Sequence, residues 1–275
     1  MNHTLTRSTI APSAVTDALL AVGVRAGNVA LVHADAIVAA QISIGSNYAV
    51  PQSEVASEDR LDLLIEAIVT AIGPDGTLVV PTFSYSFTKG EPFDLVNTPS
   101  AVGMVSERFR TRAGILRTSD PIFSFACSGP RAAELCALPV KECFGAESVF
   151  AAVHRMNAHI VDLGCSLSRG GTFVHYVETA HGVDYRYPKV FSGKVISLGG
   201  HRRDCAVVYN VRDLTRNSAA DLRRLQTRLA EDGKLRTADV GRSRILTVRA
   251  SDLFDTAWQM LDEDPISLIA EGVGK

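Results

Sequence analysis

The sequence has no apolar run near the ~20 residues that a membrane-spanning helix needs, and no surplus of either charge. Lys and Arg number 28 against 30 Asp and Glu, a formal net charge of -2. That balance removes any global attraction to nucleic acid or to an anionic membrane surface. Residues 1–13 are polar and lack the apolar centre of a secretory signal. The five cysteines are an odd number, with no CxxC and no Cys/His cluster at metal-ligand spacing. Neither a disulfide framework nor a metal is therefore expected; free, mostly buried thiols in the cytoplasm are. The GxSxG elbow, the GxxxxGK[ST] phosphate loop and HExxH are all missing. Gly170-Gly171 and Gly199-Gly200 do not make a GxGxxG fingerprint.

What remains is a globular chain of 275 residues, 46% hydrophobic and 21% charged, long enough for one large domain or two joined ones. No repeat or low-complexity linker divides it. Apolar periodicity predicts helices over residues 14–22, 60–72, 101–112, 148–156, 171–180, 221–231 and 254–262, with Ser100 as an N-cap. Strands are predicted over 28–33, 77–83, 121–127, 159–163, 194–198, 205–209 and 245–248. Gly73-Pro74-Asp75-Gly76 stops the second helix, and Pro81 points to a strand end or an edge. The alternation predicts an α/β fold with a later antiparallel portion.

Four stretches could carry chemistry. In 164–189 a strand runs into a Gly/Ser-rich loop and then a helix with His175. Such a junction can aim backbone N–H groups at an anion or a developing oxyanion, with Thr172 beside them. His175 and Glu178 are three apart and share a helix face. Glu178 can hold one ring nitrogen and leave the other as a general base. The alternative is a satisfied helix histidine. His181, before Gly182, reads as a surface loop residue. In 97–110, Thr98 and Ser100 precede a helix and suit either phosphate binding or capping. Asp120-Pro121 is a turn dipeptide whose carboxylate either forms the turn or walls a site. His33 closes a strand in LVHAD, where open α/β sheets place ligands. Cys165 with His175 is a conceivable thiol nucleophile, and Arg223, Arg224, Arg228 and Lys234 read as a solvated face.

Several of these segments, taken together and in order, resemble the aminoglycoside 3-N-acetyltransferase family. They are TPSAVGMVSERFRTRAGILRTSDPIFSFACSGP, ECFGAESVF and TFVHYVE, with VALVHAD and GPDGTLVVPTF upstream, across residues 15–270. The resemblance implies one domain over 1–275, with 1–13 as a flexible N-terminus. Its fold would be a central mixed sheet flanked by helices, distinct from the GNAT acetyltransferases. It implies N-acyl transfer from acetyl-CoA, or another acyl-CoA, to an aminoglycoside, aminosugar or related small amine. His175 would be the base with Glu178 alongside. His33, Ala34, Asp35, Thr98, Ser100 and Gly103 would lie near the CoA. Asp120, Thr172 and Asp184 would line the acceptor side, and Tyr185, Arg186 and Lys189 would be structural or face the acceptor. A homodimer, no nucleic acid and no membrane are the expected partner set. This chain departs from the usual pattern in having His33-Ala34-Asp35-Ala36 for His-Ser-Ser-Leu, and Asp120-Pro121 for His-Pro. The altered HAD segment motivates one rival, a non-catalytic ligand-binding or regulatory member of the same fold; Cys165 with His175 gives another, a Cys/His acyl hydrolase.

Overall fold

The computed structural model describes residues 9–43 and 57–270. In chain order the elements begin with α1 (Pro12–Ala21), β1 (Val29–Ala34), α2 (Ala36–Ala39), α3 (Ser57–Ile72) and β2 (Thr77–Pro81). Then come β3 (Phe93–Asp94), α4 (Met104–Arg110), β4 (Leu116–Arg117), β5 (Phe125–Ser128), α5 (Ala132–Cys136) and α6 (Val149–Arg155). Next are β6 (His159–Leu163), α7 (Leu167–Gly170), α8 (Val174–His181), β7 (Arg186–Ile196) and β8 (Arg202–Arg212). The last are α9 (Arg223–Glu231), β9 (Arg236–Val240), β10 (Ser243–Arg249) and α10 (Ala250–Glu263). The first helix starts at Pro12, inside the segment expected to be flexible; residues 1–8 of that segment lie outside the described residues.

The main sheet has the order β4-β5-β2-β1-β6-β10-β9. Its centre, β2-β1-β6, is parallel, and the flanking pairs are antiparallel. Period-two alternation gives the internal strands β5, β2, β1, β6 and β10 two largely buried faces. Ala30, Val32, Leu78, Val80 and Val161 pack under α1–α4, whereas Leu31, Val79, Phe125 and Ile160 pack under the later helices. Leu61, Leu64, Ile65, Ile68 and Ile72 of α3 repeat at three- and four-residue spacing and are all buried, as an amphipathic helix on a sheet requires. Pro81 does end a strand, but β2 is internal rather than at an edge. A second sheet, β3-β7-β8, is dominated by the eleven-residue antiparallel hairpin of β7 and β8.

The topology positions the site. From β1 the chain crosses to β2 on one side and later reaches β6 on the other, so the order reverses at β1. A crevice must open beyond the carboxyl ends of such strands. One corner of it is set by buried Arg117, whose guanidinium donates to the carbonyls of Thr98 (2.6 Å) and Thr82 (2.9 Å) and lies over Phe93. This ties the 94–100 turn to β2.

At the other end of β6, His159 is buried. Burial, then the charges of Arg249, Arg236 and Arg25, hold its pKa down to about 4 from 6.5. The unfolded chain takes up this proton more readily, so the contribution is complete above pH 6.5 and is lost as pH falls towards 4. Solvent reaching the ring screens part of the effect, leaving about 2 kcal/mol of the ~3 kcal/mol the full displacement represents. Denaturant unfolding of His159→Gln at pH 7 and pH 4.5 should show a pH-dependent loss smaller by that amount. An unchanged difference between the two pH values contradicts the assignment.

Candidate active site

A cleft of about 590 Å³ lies where the topology requires it. The ends of β1 and β2 supply His33, Ala34, Asp35 and Pro81, the start of α4 supplies Gly103 and Met104, and Cys165 and Thr172 follow β6. Gly103 has φ +132, a left-handed value that suits glycine, and it serves as the backbone N-cap of α4. Asp35 caps α2 by accepting from the Ile37 N–H at 2.9 Å. His33 Nδ1 is 3.2 Å from Asp162 Oδ1 across the β1–β6 pairing, off the hydrogen-bond line. Neither ring nitrogen of His33 has a hydrogen-bond partner among the described residues. Burial pushes the Asp162 carboxyl up, opposed by His33.

Beside the cleft, α8 carries His175 half-buried. The ring Nδ1 is 2.7 Å from Glu178 Oε2, and Glu178 is fully buried. Tyr185 donates to Glu178 Oε1 at 3.0 Å, and Arg186 Nε lies 2.6 Å from Oε2. Burial raises the Glu178 carboxyl, but the hydrogen bond and charge of His175, with Arg186 and Tyr185, outweigh it and hold its pKa below the ordinary range. Arg186 Nη2 is also 2.8 Å from His175 Nδ1. A nitrogen donating to Glu178 cannot accept from Arg186, so each tautomer makes one of these bonds. The tautomer that serves the carboxylate leaves Nε2 with a lone pair. Phe144 meets the imidazole edge-on, with ring centroids 5.5 Å apart. Phe144 also packs on Phe123, and Phe123 on Tyr85 of the cleft wall.

The structure therefore brings His33, Ala34, Asp35, Gly103 and Thr172 into one cleft and sets the His175–Glu178 pair one helical turn past Thr172. His175 itself is not among the cleft's lining residues.

Four expected site residues stand elsewhere. Thr98 is buried, with its hydroxyl accepting from the Asp94 N–H at 2.8 Å and its carbonyl held by Arg117. Ser100 does not cap α4, which starts four residues later, at Met104; its N–H donates to Glu107 Oε2 at 2.7 Å. Asp120 forms the turn, accepting from the N–H groups of Ile122 and Phe123, each at 2.8 Å. Asp184 is exposed and paired with Arg216. The expected open N-terminus of the His175 helix is also absent, because helical turns over 167–173 lead directly into α8. Two N–H groups of the preceding loop are taken, Gly164 by the Arg244 carbonyl and Leu167 by Gln226. His181 is the last residue of α8 rather than a loop residue, and its Nε2 is 3.0 Å from Asp262. Cys165 donates its thiol to the His33 carbonyl at 3.6 Å.

A family model described as aminoglycoside 3-N-acetyltransferase matches residues 50–262. The chain belongs to the aminoglycoside 3-N-acetyltransferase family. It is accordingly an acyltransferase. A relative, aminoglycoside N(3)-acetyltransferase IV from Salmonella sp, is 29% identical over 212 residues, covering 74% of each chain. The crystal structure of aminoglycoside acetyltransferase AAC(3)-IVa apoenzyme superposes with a TM-score of 0.75 at 25% identity, covering 98% of this chain and 94% of that one. A histidine-to-alanine variant of that enzyme with apramycin gives 0.73 at 25% identity, covering 97% and 96%. The AAC-IIIb binary complex with CoASH, 19% identical, shares the fold with a TM-score of 0.76 over 93% and 97%. In this acetyltransferase-family chain no described helix is long and apolar enough to cross a membrane.

Proposed function

We propose that the chain transfers an acetyl group from acetyl-CoA to an amino group of an aminoglycoside, aminosugar or related small amine, with His175 as general base. One observation carries this reading: a half-buried imidazole whose Nδ1 is 2.7 Å from a fully buried carboxylate. Two facts about the cleft favour acetyl-CoA as its occupant. Its volume of about 590 Å³ is in the range of small-molecule sites, and both His33 ring nitrogens are buried there without hydrogen-bond partners. Cys127, Cys136, Cys143 and Cys205 form no disulfide, which fits a reducing cytoplasm.

The chemistry follows from the amine. An ammonium has no lone pair for a thioester carbonyl, so a base must take a proton before or during attack. Imidazole is the side chain that most readily exchanges a proton near neutral pH, which suits it to a general base. His175 Nε2 takes the proton, directly or through one water. Glu178 holds the ring in the needed tautomer and favours the imidazolium that forms. Arg186 and Tyr185 hold Glu178 in turn. The acceptor nitrogen bonds the acetyl carbon as the thioester C–S bond of acetyl-CoA breaks, and CoA leaves as the thiol after taking a proton from the imidazolium or from water. Thr172 lines the cleft three residues before His175. Asp120 and Asp184 have no part in this scheme, being occupied by a turn and by Arg216.

The test is a CoASH-release assay against aminoglycosides, aminosugars and simple amines, with product masses by mass spectrometry. The expected result is amine-dependent release and one added acetyl per transfer. Acetyl-CoA binding with no release across the panel would establish the non-catalytic rival. Release without any amine, abolished by Cys165→Ala, would establish the hydrolase.

A further inference from the structure

A second concave site, of about 330 Å³, opens at the far end of β6 from the cleft. Lys234, Arg236 and Arg249 line it against one carboxylate, Asp252. Elsewhere the arginines sit on acids: Arg108 on Asp62 and Glu58, Arg112 on Glu66, Arg216 on Asp184. Here, among the described residues, the guanidinium groups of Arg236 and Arg249 have neither a hydrogen-bond nor an ion-pair partner. Arg236 is laid over the turn after α1, where Gly23 leaves room: a Cβ there would stand 2.8 Å from Arg236 Nη1.

Buried His159 forms the back of the site, with Nδ1 3.4 Å from Thr247 Oγ1. The charged groups facing that ring are Arg249 of β10, Arg236 of β9, Arg25 of the turn after α1, Lys234 of the turn after α9, and Asp252 of α10. Arg25 spends its Nη1 on the Leu20 and Val24 carbonyls, and Lys234 bonds Thr256 Oγ1 at 2.9 Å and lies 3.5 Å from Asp232. Gathering cations around a concave surface with so little opposing charge raises the energy of the folded state by self-repulsion. A bound anion removes that penalty. Forked guanidinium donors beside neutral imidazole and hydroxyl groups match a tetrahedral oxyanion better than a spherical halide.

We propose that this site binds a small, soluble phosphate-bearing anion of the phosphomonoester type. It is separate from the cleft: four strand steps from His159 to Leu163 span about 13 Å, with the sheet between. The proposal is independent of the acetyltransferase reading.

The experiment uses the full chain at pH 7 and constant ionic strength, with chloride as the balancing anion. Inorganic phosphate is titrated while the Cε1–H resonances of His159 and His175 are followed by NMR, assigned by their loss in His159→Gln and His175→Gln. The expected result is a saturable shift of His159, with no shift of His175. In the Arg236→Gln/Arg249→Gln double variant the apparent affinity falls at least about tenfold, as loss of two charge-assisted contacts entails. That variant melts at or above wild type in chloride, since repulsion is relieved, and phosphate raises the melting temperature of wild type only. The proposal is overturned by an unsaturable shift, by an equal response to chloride, or by a response that survives the double substitution. A double variant that melts well below wild type in chloride also overturns it, since the arginines would then be structural. Binding to phosphatidylserine vesicles without binding to free phosphate overturns the soluble-ligand assignment.

Discussion

Substitution of His175 by alanine lowers kcat for acyl transfer by about 100–10,000-fold, the range a positioned general base contributes, while the affinity for acetyl-CoA stays close to wild type. The split is expected because the imidazole stands beside the cleft rather than in its lining. A lost base acts on the chemical step, whereas a lost cleft wall would act on binding. The fold should tolerate the change. Glu178 keeps Tyr185 and Arg186 as partners, so no buried carboxylate is abandoned. The structural losses are the Nδ1 contact with Glu178 and the edge contact with Phe144, the latter worth about 1 kcal/mol. Steady-state kinetics with both substrates varied separates the two effects. Turnover within a few-fold of wild type rejects His175 as the base.

Glu178→Gln should be the more damaging substitution, because it acts on both catalysis and stability. The carboxylate is fully buried and meets His175 Nδ1, the Tyr185 hydroxyl and Arg186 Nε at 2.7, 3.0 and 2.6 Å. A neutral amide leaves the buried Arg186 guanidinium without its counter-charge, which costs about 3–5 kcal/mol. It also leaves one neutral carbonyl oxygen in place of two carboxylate oxygens for the three donors, which weakens the hold on the Nδ1–H tautomer, and Arg186 Nη2 then competes for Nδ1. With the wrong tautomer Nε2 carries a proton instead of a lone pair, and the rate falls by up to about 10,000-fold. Urea unfolding reads the first effect. Turnover, measured at a temperature where circular dichroism shows the variant folded, reads the second. The pH dependence has a definite sign. The depressed carboxyl of Glu178 contributes stability that is complete above its unfolded pKa near 4.5 and is lost as pH falls through the lower folded value. Glu178→Gln should lose that acid limb. A variant as stable as wild type, or one retaining full turnover, contradicts the arrangement.

Local pattern revealed as much of this molecule as local forces determine. Residues 159–163 were legible as a strand to the residue, since HIVDL is a short apolar run closed by Gly164. Within that run, an acid in a fully buried strand already signals a partner, and Asp162 has His33 across the pairing. The first eight residues of β7 were not legible. Pro188 and Gly193 are poor strand formers, yet Pro188 sits where β7 has no neighbour on its other side, since β3 pairs only with Val195 and Ile196. The start of α4 was misplaced because the 98–100 turn is held by Glu107 and Arg117 rather than by helix capping.

The site divides the same way. His175 and Glu178 were visible because three residues on one helix must share a face. Their joint contact with Arg186 depends on a strand from the second sheet, which no spacing rule reports. Asp120 and Asp184 show the converse error. An acid near a site-like segment looks available until its own turn or a nearby arginine occupies it.

The central claim is that neutral His175 takes the proton of the acceptor amine, and the pH dependence of kcat at saturating acetyl-CoA and amine tests it most directly. Wild type is expected to show a rising limb of unit slope, as a one-proton general base entails. His175→Gln is expected to retain only a small residual rate that is flat over the same interval. A limb of the same position and slope in His175→Gln would mean that another group, and not this ring, accepts the proton.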